Sequence, residues 1–226
     1  DLFPPRWYDM YQLLKLRGDK QRSFLELLLA EHDGKLQANE KDSLEQIRDT
    51  FRRQCIDFVS QNELFESDEL ITTLTTNADF TDDAISYKGH MLLDLTRNCY
   101  PVPDFVILTA KSFNNPDSLP DLLHKAIHNL EIMTNCRLGD VRTPLVFAIR
   151  CAMPQYIPGL MPTLLNIGVT RTAYKALKAS FAPVMANRVY LSTLHTICEM
   201  LGLDHRYDTT DIKLTVADQN SRIAEL

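Results

Sequence analysis

Glycine is scarce in this chain: seven in 226 residues, under half the usual share. That argues against a glycine-punctuated barrel or a string of glycine-rich nucleotide loops, and it makes each glycine worth reading. The five cysteines, Cys55, Cys99, Cys136, Cys151 and Cys198, are odd in number, widely spaced and form no C-x-x-C pair. They read as reduced thiols of a cytoplasmic protein, and not as a disulfide framework. Basic residues form no run. Lys and Arg total 24 against 30 Asp and Glu, a net charge of −6, and sequence-independent nucleic-acid binding needs clustered phosphate contacts that this balance does not supply. No apolar stretch approaches the roughly 20 residues that span a bilayer, and no basic segment leads into a short apolar one as in a signal peptide. Neither nucleic acid nor membrane is expected as a partner. The chain starts at Asp1, not Met, and Leu226 follows a helix-like stretch with no stop signal; a piece cut from a longer polypeptide is expected.

What is present is globular composition, 45% hydrophobic and 24% charged, enough for one large or two small domains. The first eighty residues read as helices. Trp7 to Leu16 and Arg22 to Glu31 are rich in helix formers, with Gly18 and Asp33-Gly34 as interruptions. Asn39 fits an N-cap, with Asp42 three positions on resembling a capping box. Leu44, Ile47, Phe51, Cys55 and Phe58 then keep to one helix face. The stripe suits a helical hairpin packed on its neighbour, and its heptad spacing also permits a homodimer seam or a signalling linker. Residues 71–83, rich in Thr, Asn and Asp, read as a connector or edge strand, and a domain boundary is placed there, dividing 1–80 from 81–226.

Beyond it the pattern is mixed. Gly89 to Arg97 reads as helix, and Phe105 to Thr109 as a strand entered through Pro101-Val102-Pro103. Ser118 to Thr134 is a helix with Leu122, Ala126, Leu130 and Met133 on one face. Pro144 to Ile149 reads as a buried strand, followed by a loop over Arg150 to Thr163. Helices around Ala173–Ala179 and Ala186–Leu201 close the pattern, the last ended by Gly202. The expected fold class is α+β, an α/β-type half-domain preceded by an α-helical N-terminal region.

Two stretches suggest chemistry. Ser86-Tyr87-Lys88-Gly89 enters a helix, where an ammonium and free backbone N–H groups can meet one phosphate; the Walker spacing is absent. Arg150 ends an apolar strand at a sheet edge, where ligands of α/β folds bind. The loop behind it carries Pro154, Pro158, Gly159 and Pro162, a composition that shapes a loop and lets backbone approach a ligand. His124 and His128 have the i, i+4 spacing of a zinc clamp, but Lys125 stands where a metalloprotease has Glu; they read as exposed polar residues, and no metal site is expected. Cys151 is a lone loop thiol.

Taken in order, these stretches are more specific than singly. Lys88-Gly89-x-x-Leu92-x-x-Leu95 and Pro101-Val102-Pro103-x-Phe105-x-Ile107-x-Thr109 come first. Ala126-x-x-x-Leu130-Glu131-x-x-Thr134, Gly139-Asp140 and Pro144-Leu145-Val146-x-x-Ile149-Arg150 follow. Pro158-Gly159-Leu160-Met161-x-Thr163-x-Leu165-Asn166-x-Gly168 and Asn187-Arg188 complete the series, over roughly residues 84–203. The series resembles the opening of the nucleotide-binding domain of the pyruvate phosphate dikinase and phosphoenolpyruvate synthase family. The resemblance implies an ATP-grasp-like domain binding Mg-ATP, which passes a phosphoryl group to a histidine on another domain and on to pyruvate. It gives Lys88, Gly89 and Arg150 to the ATP phosphates and Pro158, Gly159, Leu160, Met161 and Thr163 to a loop closing over them. The Mg2+ ligands, carrier histidine and pyruvate site are implied to lie outside this sequence; neither His195 nor His205 sits in a carrier motif. Departures are visible. The family's Gly-Gly-Lys-Gly is Ser86-Tyr87-Lys88-Gly89, its Ser-Gly-Ala after the arginine is Cys151-Ala152-Met153, and Pro162 replaces an Asp. They leave an alternative from another class: a module whose catalysis has decayed, serving regulation or assembly through its helical region.

Overall fold

The computed structural model describes residues 24–74, 80–100, 102–151, 163–180 and 182–202. The helix expected over 7–16 lies outside them. The described chain divides into two compact units, the first running to Thr134 and the second beginning at Asn135.

In the first unit, α1 (Phe24–His32) is followed by α2 (Ala38–Gln61). The cap of α2 is Gln37, whose N–H donates to the Glu40 carboxylate at 3.0 Å; the expected cap, Asn39, already stands inside the helix. A carboxylate at the third position satisfies the leading amide as the capping-box pattern requires, two residues earlier than Asn39 suggested. Leu44, Phe51 and Cys55 are buried as expected, Ile47 and Phe58 only partly, and Arg48 takes a buried place at 4% exposure. Its guanidinium donates to Glu31 of α1 at 2.9 Å, to Glu45 at 2.8 Å and to the Asn98 carbonyl at 3.4 Å. A buried cation persists only where acceptors converge on it, and these come from three parts of the chain.

Next, β1 (Leu70–Thr72) pairs antiparallel with β2 (Val106–Leu108), Ile71 opposite Ile107. All three residues of β1 are buried, so this part of the expected connector is interior. Its threonines enter because their hydroxyls find acceptors: Thr72 donates to Glu66 at 2.8 Å and Thr73 to the Phe105 carbonyl at 2.9 Å. Between the strands runs α3 (Asp82–Arg97), and after them α4 (Leu119–Thr134), which buries Leu122, Ala126, Leu130 and Met133 as its periodicity predicts. Asn129, fully buried on the same helix, donates from its amide nitrogen to the Phe65 carbonyl at 2.7 Å and accepts the Phe65 N–H at 3.0 Å. β1 and β2 share a sheet from either side of residues 73–83, and compactness divides the described chain after Thr134.

The second unit carries β3 (Phe147–Arg150) and β4 (Thr163–Ile167), paired antiparallel with Arg150 opposite Thr163 and an irregularity between Phe147 and Ile149. Asn166, at φ 59°, stands beside that irregularity. The strand expected to be buried is not: Ile149 is 42% exposed, and of Pro144 to Ile149 only Leu145 is interior. Gly168 is required where it stands. Its φ is +96°, and a Cβ there would lie 2.3 Å from the Leu145 carbonyl oxygen. Two helices follow, α5 (Arg171–Ser180), whose Ala173 N–H donates to Thr170 Oγ1 at 3.1 Å, and α6 (Pro183–Met200), with Gly202 just beyond at φ +64°. Tyr174 and Tyr190 stack at 4.6 Å in a core with Val169 and Ala186. Helices with two small antiparallel sheets make the described chain α+β.

Candidate functional site

Helix α3 is two helical segments joined at Ser86, whose φ of 62° and ψ of 167° interrupt it. That backbone region belongs essentially to glycine, and holding another residue there costs about 1–3 kcal/mol. The strain has a local cause. Ile85 is buried in the core with Ile71 and Leu93. Four residues on, Gly89 packs so closely that a Cβ would meet Ile85 Cβ at 3.0 Å and Ile107 Cδ1 at 3.3 Å. With both ends pinned, the chain turns at Ser86. The Ser86 residue is 4% exposed, and its hydroxyl has no hydrogen-bond partner among the described residues.

The second segment runs from Tyr87 to Arg97. Tyr87, Lys88 and Gly89 form its first turn. Lys88 is half-buried in that turn and Tyr87 is 68% exposed. Tyr87 also lines a surface groove of about 230 Å³ with His90, Met91, Asp94 and Tyr100.

Arg150 and Thr163 belong to the second unit. They face each other across the β3–β4 ribbon, both exposed; Arg150 is the last residue of its strand, next to the connection to β4. Pro158, Gly159, Leu160 and Met161 lie outside the described residues. The structure brings Lys88 together with Gly89, and Arg150 with Thr163, one pair in each unit. Asp140 is bound into its own turn. Its carboxylate accepts the Thr143 and Arg142 N–H groups at 2.9 and 2.6 Å, which holds it below the usual carboxylate range.

His124 is exposed, as expected, whereas His128 is partly buried and packs edge-on to Phe65 at 5.5 Å. Among the described residues no group of His, Cys, Asp or Glu is placed to hold a metal ion. His195 sits 3.4 Å from Glu199, and His205 lies outside the described residues. All five cysteines are free: Cys151 is exposed, Cys55 and Cys99 are buried, and burial pushes the Cys99 thiol up to about 12. No described helix is long and apolar enough to cross a membrane. The interrupted backbone at Ser86 is the feature of this turn that residue patterns missed. The available signal was its place in the Gly-Gly-Lys-Gly resemblance, where a glycine is expected.

No family model matches this chain. Among curated proteins, the similarity is to one class of enzyme, a phosphate-transferring dikinase. The chain is 29% identical over 128 residues to the pyruvate, phosphate dikinase of Rickettsia felis, covering 53% of this chain and 14% of that protein. It is 30% identical over 123 residues to that of Rickettsia conorii, 51% of this chain and 14% of the relative. With the Rhizobium meliloti enzyme it shares 26% identity over 103 residues, 42% and 12% of the two chains. The resemblance read from residue order is thus found in whole-sequence comparison as well. About half of this chain is similar to pyruvate, phosphate dikinases, and it spans about 14% of the length of the first two relatives.

Proposed function

We propose that this chain is part of an ATP-dependent phosphotransferase of the pyruvate phosphate dikinase type, with residues 81–226 contributing to an ATP-grasp-like nucleotide-binding domain. The observation that carries this is Ser86. A non-glycine residue holds a glycine backbone conformation at the head of the Lys88-Gly89 turn, at the position where the dikinase resemblance expects glycine.

In this role the Tyr87, Lys88 and Gly89 amides hold an ATP phosphate, and the Lys88 ammonium offsets its charge. Arg150 supplies positive charge to the phosphoryl group as charge spreads over its equatorial oxygens, the main requirement of phosphoryl transfer. Pro158, Gly159, Leu160, Met161 and Thr163 form the segment that closes over the phosphates. Mg2+ neutralises phosphate charge when bound; among the described residues no acidic group is placed to hold it, and the dikinase resemblance implies ligands outside this sequence. The acceptor is a histidine on another domain, with pyruvate or phosphoenolpyruvate reached beyond it, in the cytoplasm.

The test is Mg-ATP binding to the intact protein by calorimetry, together with ATP-driven histidine phosphorylation. Lys88→Ala and Arg150→Ala are each expected to lower phosphorylation at least about 100-fold. Unchanged phosphorylation in both variants overturns the assignment. Absence of Mg-ATP binding by the folded, unsubstituted protein overturns it in favour of a decayed module.

A further inference from the structure

The two units differ in how their cations are met. Residues 1–134 hold 14 Lys and Arg against 23 Asp and Glu, and Lys35, Arg52, Lys111 and Lys125 each lie within 2.8 Å of a carboxylate. Residues 135–202 hold seven against two. Both acids there are engaged: Asp140 accepts two N–H groups of its own turn, and Glu199 sits 3.4 Å from His195. Arg171 and Lys175, exposed one turn apart on α5, have no carboxylate partner among the described residues. Arg171 also edges a groove of about 280 Å³ where the end of β4 meets α6, walled by Val169, Tyr190, Leu194 and Ile197. Gly168 in its lining puts no side chain into it, and the Thr193 hydroxyl there is committed to the Val189 carbonyl at 2.9 Å. Ile197 is left 41% exposed. Arg171 is the one charged residue of this otherwise apolar lining.

We infer that this groove binds a small carboxylate carrying an apolar chain of about six to eight carbons, with the chain along Val169, Leu194 and Ile197 and the carboxylate on the Arg171 guanidinium. The guanidinium fork matches a carboxylate with two parallel hydrogen bonds, and the unit's surplus of positive charge favours an anion over a neutral ligand. Size sets the chain length. At about 30 Å³ per heavy atom at liquid density, a groove of about 280 Å³ holds about nine. A phosphate head would take five of those places and leave the apolar walls largely uncovered. A nucleic acid strand fits less well still, because such strands use rows of cations and open aromatic faces, and the one aromatic in this lining, Tyr190, already stacks on Tyr174. The site lies apart from the residues given to ATP and stands or falls without that assignment.

A methyl-resolved NMR titration of the intact protein tests this, with sodium octanoate as the probe. Octanoate is expected to shift the Val169, Leu194 and Ile197 methyl signals saturably. Acetate, which keeps the charge, and 1-octanol, which keeps the chain, are each expected to bind at least about tenfold more weakly. That comparison uses the unsubstituted protein and needs no variant to fold. Arg171→Gln is expected to weaken octanoate about tenfold and leave 1-octanol unchanged, whereas Ile197→Asn is expected to weaken both; both positions are exposed, and unchanged melting temperatures check the fold. Octanoate binding equally well to Arg171→Gln, or 1-octanol binding as tightly as octanoate, overturns the inference. So does unaltered octanoate binding by Ile197→Asn. If a single-stranded RNA oligonucleotide shifts the Arg171 and Lys175 signals while octanoate leaves the groove methyls unmoved, the cations serve a polyanion and the inference falls.

Discussion

The two strand pairs of this chain have the same form and opposite surroundings. In β1–β2 every residue of the first strand is buried. In β3–β4, Ile149 is 42% and Leu165 45% exposed. A two-stranded ribbon is marginal in water on its own, so each needs something further. The first is embedded: α3 and α4 both pack on β2, and threonine hydroxyls extend its hydrogen bonding to carbonyls beyond the ladder. The second rests on backbone geometry, with a tight crossing at Gly168 and cover on β4 from α6. Each ribbon has one threonine, and large apolar residues are five of six in β1–β2 and five of nine in β3–β4. Interior position follows from what packs on a strand as well as from the strand's own hydrophobicity.

Substitutions can break that contrast or sharpen it. Gly168→Ala places a methyl group against the Leu145 carbonyl at a positive φ. It is expected to cost about 3 kcal/mol or more and to accelerate amide hydrogen exchange in β3–β4. Unaltered exchange there means that the crossing is not what holds this ribbon. Thr73→Val keeps the shape of a fully buried side chain but strips a hydroxyl that donates to the Phe105 carbonyl and accepts its N–H. Chemical denaturation should show a loss of about 2 kcal/mol, and a neutral result makes apolar burial alone the support of β1–β2. The smallest effect is expected on the open ribbon's surface, where Leu165→Thr should change stability by less than about 0.5 kcal/mol. A loss as large as that of Thr73→Val means that Leu165 is covered in solution.

Legibility from sequence followed the range of the interactions. The α4 stripe was readable because its four buried residues repeat at helical spacing and need only a flat apolar neighbour. The ends of α5 and α6 were close to their local signals, Gly202 included. Arg48 displaced Ile47 from the buried face of α2 because its partners come from Glu31 and the Asn98 carbonyl, which no local window contains. The threonines of β1 looked like linker for the same reason: their acceptors, at Glu66 and Phe105, are brought by the fold. At the candidate site, Lys88-Gly89 at a helix start and Arg150 at a strand end were legible as charge beside structural punctuation. The Ser86 backbone was not, because Ile85 and Gly89 impose it through their packing on the first sheet.

Asn129 places the same dependence in an evolutionary setting. Its amide matches the hydrogen bonding of a peptide group, offering Phe65 one acceptor and one donor from a fully buried position. Aspartate lacks the donor, and serine and threonine lack the reach and the second group. Every single-base change of an asparagine codon that alters the residue gives Asp, His, Tyr, Ser, Thr, Ile or Lys, and none of these presents a carbonyl and an NH2 side by side. Glutamine, the one side chain with the same chemistry, is a methylene too long for a filled core and more than one mutation away. The segment that leads into β1 therefore depends on a residue that the genetic code surrounds only with failures.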